Sequence, residues 1–325
     1  MTKTTTPINI VFLDGYTLNP GDTEWTLFEQ FGNFTAYDRT RPEDIVQRAR
    51  EADILIVNKT RLTAEHFDRL SRLRLVCVAA SGYDVVDIRA ARAHGVTVCN
   101  AAGYGTESVA QLTMALLLEA TSHVGEYAAA NRAGMWTRSK DFCCWNEPLT
   151  ELCGKTMGII GFGHIGSAVA RLAHAFGMNI IAYTSKSRNS LPEYVMPTSI
   201  DNLFRESHVV SLNCPLTAKN QAFVNAELLA GCRQGMLLLN TARGRLIDDI
   251  AVADALRTGR LGAYCCDVLS EEPPRADHPL LTAPHCYITP HIGWATLEAR
   301  QRLIETIADN IRNFMNGHPT NVVNP

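Results

Sequence analysis

The 325-residue sequence has no long hydrophobic run. Its most apolar helical stretch, Leu112–Leu118, is bounded by Gln111 and Glu119, and a bilayer span needs about 20 apolar residues. A buried core helix is expected there. Met1–Pro7 is polar and threonine-rich and lacks the apolar centre of a signal peptide. Charge of one sign is also missing: 30 Lys and Arg against 33 Asp and Glu give a net charge of -3. With no extended basic run, nothing argues electrostatically for a nucleic-acid or membrane partner. Cysteine is plentiful at ten residues, but the Cys-x-x-Cys spacing of zinc and redox sites is absent. Cys143-Cys144 and Cys265-Cys266 are adjacent, and Cys77, Cys99, Cys214, Cys265 and Cys286 lie in or beside apolar runs, where cysteine behaves as a small hydrophobe. Reduced thiols, a cytoplasmic location and no metal site are expected. Neither an internal repeat nor a low-complexity linker is present.

What the chain does have is length for two domains and an alternation of strand-like and helix-like segments. Ile8–Leu13, Asp53–Val57, Leu75–Ala79 and Val96–Cys99 read as strands, with helices near 23–30, 42–49, 64–70 and 87–94 between them. This describes a small parallel α/β unit. A long apolar helix follows at Glu107–His123, apolar nearly all round and therefore buried, within or between domains or subunits. The stretch 134–152 is aromatic and irregular, with Trp136, Phe142 and Trp145.

A glycine fingerprint then stands in mid-chain: Gly161-Phe162-Gly163-His164-Ile165-Gly166, after the apolar run Lys155–Ile160 and before the helical pattern of Ser167–Phe176. A strand, a glycine turn and a helix start in this order let a dinucleotide pyrophosphate approach bare backbone at a helix N-terminus. Without that context the string of glycines would be weak. Further strands are expected at Asn179–Tyr183, His208–Leu212, Met236–Leu239, Gly262–Cys266 and Cys286–Ile288. The amphipathic segment from Ala295 to Met315, with Leu303, Ile304, Ile307, Ile311 and Phe314 on one face, is expected to fold back on the first unit.

Three segments in the second half end strands, where open α/β sheets bind ligands. They are Asn240-Thr241-Ala242-Arg243-Gly244, Asp267-Val268-Leu269-Ser270-Glu271-Glu272 and Thr289-Pro290-His291-Ile292-Gly293. Arg243 can hold a carboxylate bidentately, and His291 can exchange a proton near neutrality. A neighbouring carboxylate, Glu272 with Glu271 as rival, would orient the imidazole. Each has a bland alternative: a loop cap for Arg243, a surface or core histidine, a solvated turn glutamate. Together they fit reduction of a 2-keto acid.

These motifs resemble, over nearly the whole chain, the D-isomer-specific 2-hydroxyacid dehydrogenases. The likeness rests on 103–110 (Gly-Tyr-Gly-Thr-Glu-Ser-Val-Ala), the glycine fingerprint, Asn240–Gly244, Glu272-Pro273 and Thr289-Pro290-His291. It implies two Rossmann-like, doubly wound parallel-sheet domains of α/β class. The dinucleotide-binding domain (105–291) would be inserted in a discontinuous substrate domain (1–104 and 292–325). The resemblance makes Arg243, Glu272 and His291 the catalytic residues, with Ser81 and Gly82 joining Arg243 and His291 in substrate binding. Ala80 stands where many members carry glycine. The resemblance also implies cofactor contacts from Thr106, Gly161, Gly163, His164, Ile165, Gly166, Cys214, Pro215, Thr241, Ala242, Arg243, Asp267, His291 and Gly293, and a homodimer.

Within the family, 102–111 and the group Asp141, Phe142, Trp145 and Pro148 are similar to glycerate dehydrogenases, also called hydroxypyruvate or glyoxylate reductases. No added regulatory domain is expected after the last helix, and there is no clear basic cluster for a substrate phosphate, although Lys59, Arg61 or Arg89 could serve. A small unphosphorylated acid is expected. Other 2-keto acid reductases, a phosphoglycerate dehydrogenase and a nucleotide-sensing corepressor-like protein remain the alternatives. An acid that would bind a ribose 2′-hydroxyl is missing after the second strand of the nucleotide unit. Thr184, Ser185, Lys186 and Arg188 stand there, and no acid occurs before Glu193. NADP(H) is therefore expected over NAD(H).

Overall fold

The structure is a computed structural model and describes residues 7–325. The chain divides into two compact units, one running up to Gly105 and resuming as Ala295–Pro325, the other comprising Thr106–Trp294. The divisions fall one residue and three residues beyond the junctions expected at 104/105 and 291/292. At the second junction the reason is local: Asp267 accepts the backbone N–H groups of Ile292 and Gly293, which keeps them with the second unit.

The first unit holds strands β1 (Asn9–Phe12), β2 (Asn33–Ala36), β3 (Ile54–Val57), β4 (Leu75–Val78) and β5 (Thr97–Cys99). All are parallel, in the order β2-β1-β3-β4-β5. β3 and β4 are buried at every position, as expected of strands covered on both faces. β2 is an edge strand, largely exposed, and its Asn-Phe-Thr-Ala sequence carries no apolar run to announce it. Helix Leu297–Met315 belongs to this unit and buries Leu303, Ile304, Ile307 and Ile311. Each such side chain stabilises by about 1.5–3 kcal/mol relative to exposure. Buried Arg300 fixes the start of the helix by donating to the carbonyls of Leu18 and Ala295 and to both carboxylate oxygens of Asp22. Beyond the helix, Val322 bridges Cys99 antiparallel, and Asn324 Oδ1 accepts the Val98 N–H.

The second unit holds β6 (Thr156–Ile160), β7 (Asn179–Tyr183), β8 (Val195–Pro197), β9 (Val209–Leu212), β10 (Met236–Asn240), β11 (Leu261–Cys266) and β12 (Cys286–Ile288). They are parallel, in the order β12-β11-β10-β9-β6-β7-β8. Alternate side chains enter opposite cores. Leu239, Ala263 and Cys265 join Ala110, Met114 and Leu117 of helix Thr106–Ser122 and Val169 of helix His164–Ala175. Leu238, Tyr264 and Cys266 join Leu203, Phe204, Val252 and Leu256. Helix Thr106–Ser122 has its own exposed edge at Glu107, Gln111 and Ala115, so it is not buried all round as its composition suggests. Helix Val124–Arg132 precedes the aromatic stretch and buries no residue, which explains its weak sequence pattern. Trp136, Phe142, Trp145 and Leu149 are exposed.

All ten cysteines are free. Burial pushes the Cys99 thiol up to about 11 and that of Cys286 up to about 12, and it raises Cys77, Cys265 and Cys266 as well. These side chains act as core hydrophobes. Among the described residues, no helix is long and apolar enough to cross a membrane, and no cluster of metal-ligating side chains occurs.

Candidate active site

The strand order of the second unit reverses between β6 and β9, which opens a crevice at their carboxyl ends. The glycine fingerprint lies there. Gly161 (φ +89°) turns the chain, and a Cβ on it would come within 2.8 Å of the Asn213 carbonyl oxygen and the Cys214 nitrogen. A Cβ on Gly166 would lie 2.0 Å from the Gly161 oxygen, so only glycine lets the helix start approach the turn this closely. Gly163, by contrast, faces open space. It is the N-cap of helix His164–Ala175 and gives that helix no side-chain cap, so the first-turn N–H groups suit an anion. These residues fit a dinucleotide pyrophosphate. Pro215 is exposed beside Cys214, while His164 and Ile165 open the helix.

After β7, the Thr184 hydroxyl accepts the Lys186 N–H at 3.2 Å, and Ser185 is exposed. Lys186 Nζ lies 5.7 Å from the centre of the Phe162 ring, within the fingerprint. Arg188 is placed differently: its guanidinium donates to the carbonyls of Leu191, Pro192 and Glu193, bracing its own loop.

The last three strands, β10, β11 and β12, carry Arg243, Glu272 and His291 just beyond their ends. At the end of β10, fully buried Asn240 shapes the turn. Its Oδ1 accepts the Ala242 N–H at 3.1 Å, and its Nδ2 donates to the Arg243 carbonyl at 3.0 Å and to the Tyr264 hydroxyl at 3.3 Å. Arg243, half-buried, donates through Nη1 to the Ala242 carbonyl. Thr241 exchanges a 2.9 Å hydroxyl contact with Thr113. Gly244 must be glycine, because a Cβ there would lie 1.9 Å from the Leu269 carbonyl carbon and 2.4 Å from Ser270 N. The Arg243 turn thus rests directly on the Glu272 loop.

At the end of β11, Asp267 is buried and accepts three hydrogen bonds: Thr289 Oγ1 at 2.6 Å, Ile292 N at 2.8 Å and Gly293 N at 2.7 Å. Ser108, on helix Thr106–Ser122, donates to the Gly293 carbonyl at 2.6 Å. These contacts hold His291 in left-handed backbone (φ 56°), a conformation costing a non-glycine residue of order 1–3 kcal/mol. His291 Nδ1 meets Glu272 Oε2 at 2.6 Å, and Glu272 Oε1 accepts the Leu269 N–H at 2.9 Å. Glu271 has no such contact with His291, so between the two glutamates the geometry singles out Glu272. The carboxylate fixes the Nδ1 proton and leaves Nε2 as the other working nitrogen of the ring.

Ser81 and Gly82 belong to the first unit, just beyond β4. Ser81 Oγ donates to the Ala101 carbonyl at 3.0 Å, Asn100 Nδ2 donates to the Ser81 carbonyl at 2.7 Å, and Ala101 N donates to the Ala80 carbonyl at 3.0 Å. The loop is braced through its carbonyls. The roles of Asn240, Ser108 and Asn100 are not visible in sequence, since each depends on a partner far along the chain or on a turn's shape.

Comparison with known proteins gives this arrangement a family. The profile described as "D-isomer specific 2-hydroxyacid dehydrogenase, NAD binding domain" matches residues 114–293. The chain belongs to the D-isomer-specific 2-hydroxyacid dehydrogenases: it is an oxidoreductase that uses a nicotinamide dinucleotide to interconvert 2-keto and D-2-hydroxy acids. It is 43% identical to a hydroxypyruvate reductase of Blautia hydrogenotrophica over 98% of this chain and 100% of the relative. A glycerate dehydrogenase of Methylorubrum extorquens is 35% identical over 97% and 98%. Among solved structures, an NADPH-dependent glyoxylate/hydroxypyruvate reductase of Sinorhizobium meliloti, in complex with NADP and malonate, superposes with a TM-score of 0.84 at 25% identity, covering 98% of this chain and 97% of that one.

Proposed function

We propose that this enzyme reduces small unphosphorylated 2-keto acids, hydroxypyruvate and glyoxylate, to D-glycerate and glycolate. The observation that carries the reading is the 2.6 Å His291–Glu272 pair on strand ends next to the Arg243 turn of the same sheet. In this proposal the Arg243 guanidinium binds the substrate carboxylate, and Ser81 and Gly82 are assigned to substrate binding in the first unit. His291 Nε2 donates a proton to the carbonyl oxygen, while Glu272 keeps the imidazole oriented through Nδ1. The reduced nicotinamide, when bound, supplies the hydride that completes the alcohol. The remaining contacts expected for that cofactor, from Thr106, Gly161 to Gly166, Cys214, Pro215, Thr241, Ala242, Asp267 and Gly293, are part of the same proposal.

NADPH is the preferred cofactor in this reading. No carboxylate stands at Thr184–Arg188 to repel a 2′-phosphate, and Lys186 with the two hydroxyls can receive it. Arg188 would have to leave three carbonyls to join them. A cytoplasmic homodimer completes the proposal. It is supported by the free cysteines and by the exposed Trp136, Phe142, Trp145 and Leu149, which suit an isologous contact.

The test is an absorbance assay of both reduced cofactors against hydroxypyruvate, glyoxylate, pyruvate and 3-phosphohydroxypyruvate. Highest kcat/KM is expected with NADPH and the two small acids. A higher value with NADH would overturn the cofactor assignment, and silence across the panel would overturn the activity.

A further inference from the structure

Outside the residues assigned above lies a second cluster of titratable side chains: Asp249, Ser270 and His278. Asp249 opens helix Asp249–Arg257, Ser270 precedes the catalytic-loop glutamates, and His278 caps the turn Pro279–Thr282. Ser270 Oγ donates to Asp249 Oδ2, and His278 Nε2 lies 3.3 Å from the same oxygen and 3.4 Å from Ser270 Oγ. His278 Nδ1 accepts the Leu280 N–H at 3.4 Å, which leaves the ring proton on Nε2, facing the carboxylate. The imidazole is buried, with 7% of its side chain exposed, and 18% of the Asp249 side chain is exposed. Asp249 Oδ1 is buried without a hydrogen-bond partner among the described residues.

Serine, histidine and aspartate are the residue types of an acyl-transfer nucleophile, but the wiring is wrong for one. The serine donates to the carboxylate, and the imidazole nitrogen that an aspartate would orient faces a backbone N–H instead. The connectivity is that of a clasp. Residues 270 and 278 are the two ends of the loop carrying Glu272, and one carboxylate oxygen holds both. That clasp lies on the helix that follows the Arg243 turn, whose Gly244 already packs on Leu269 and Ser270.

We propose that Asp249 is a positioning residue for the reaction, acting through Ser270 and His278 to hold the neck of the 270–278 loop and so place Glu272 against His291. The proposal rests on the catalytic reading of Glu272 and His291. A half-buried carboxylate is an expensive way to close a loop, and an apolar contact of the same size would cost less; what hydrogen-bonded charge adds is direction. Direction matters here because Glu272 must meet both Leu269 N and His291 Nδ1, and a misplacement of about 1 Å can cost about 100-fold in rate.

The test compares wild type, Asp249→Ala, Glu272→Gln and the double variant, with Ser270→Ala as the milder variant that opens one end of the clasp. Asp249→Ala is expected to lower kcat about 10–100-fold while KM for the keto acid stays within about twofold. Cofactor affinity, read by nucleotide fluorescence, should not change. In the double variant Asp249→Ala should cost nothing beyond Glu272→Gln. Multiplying effects, or a lowered Tm with no fall in kcat, would overturn the proposal. If Asp249→Ala does not fold, Ser270→Ala decides by the same criteria. A wild type silent on the whole panel would sink the catalytic reading and this inference with it, whereas an active wild type matched by its Asp249 variant would sink this inference alone.

Discussion

In the proposed reaction, two side chains of the nucleotide-binding unit act on substrate and cofactor. His291 is held in a strained backbone conformation by Asp267, Thr289 and Ser108, and its ring by Glu272. His291→Ala is expected to lower kcat by about 10²–10⁴, the usual worth of a positioned proton donor, while the dissociation constant for the reduced cofactor stays near the wild-type value in a fluorescence titration. Unchanged turnover would remove His291 from the proposed role of proton donor. Lys186, over the Phe162 ring, is the cation after β7 whose side chain is not spent on loop carbonyls. Lys186→Ala should raise KM for NADPH about tenfold, the effect of losing about 1.4 kcal/mol, and leave NADH almost unaffected. Arg188→Ala should act mainly on thermal stability, by releasing the carbonyls of residues 191–193.

Between elements, close approach and ion pairing do the fastening. Gly244→Ala would drive a methyl into the Leu269 carbonyl, so both the Arg243 turn and the Glu272 loop must shift. A fall in kcat/KM is expected together with a stability loss of about 1–3 kcal/mol, read by activity and urea denaturation. In the first unit, Arg300 holds the Asp22 carboxyl below its usual titration range, chiefly through their hydrogen bond. A carboxyl depressed by folding stabilises above its unfolded pKa, and the gain fades as pH falls through the depressed value. The Tm difference between wild type and Asp22→Asn should therefore be constant above about pH 5 and shrink below about pH 4. A difference that grows on acidification would rule out the pair as its cause. Much of this scaffold is legible in sequence because buried parallel strands read as continuous apolar runs: β3, β4 and β10 as far as Leu239 all do. β2 and β8 are not legible, since one is polar and exposed and the other is three residues ending in Pro197. Strand ends also betray Arg243, Glu272 and His291. Asp249, Ser270 and His278 stay hidden, because a clasp joins positions 8 and 21 residues apart and leaves no periodic pattern.

At the scale of the whole molecule, the nucleotide-binding unit is one unbroken stretch, Thr106–Trp294, and the other unit is not. Cofactor at about a hundred times its Kd should stabilise the native enzyme by about 2.7 kcal/mol, and calorimetry should assign the shift to the transition of the unbroken unit. The exposed aromatic stretch predicts a particle of twice 35.8 kDa in analytical ultracentrifugation, reduced toward one chain by Trp145→Ser with Phe142→Ser. The split unit also has a history on the ribosome. Domains usually close in the order they emerge, at about 5–20 residues per second, yet here β5 waits at the edge of its sheet until Val322 and Asn324 are made. The middle of the chain can finish folding before its beginning does. Nascent chains should therefore gain protease resistance across 106–294 first, with residues 7–105 remaining cleavable until 295–325 have emerged.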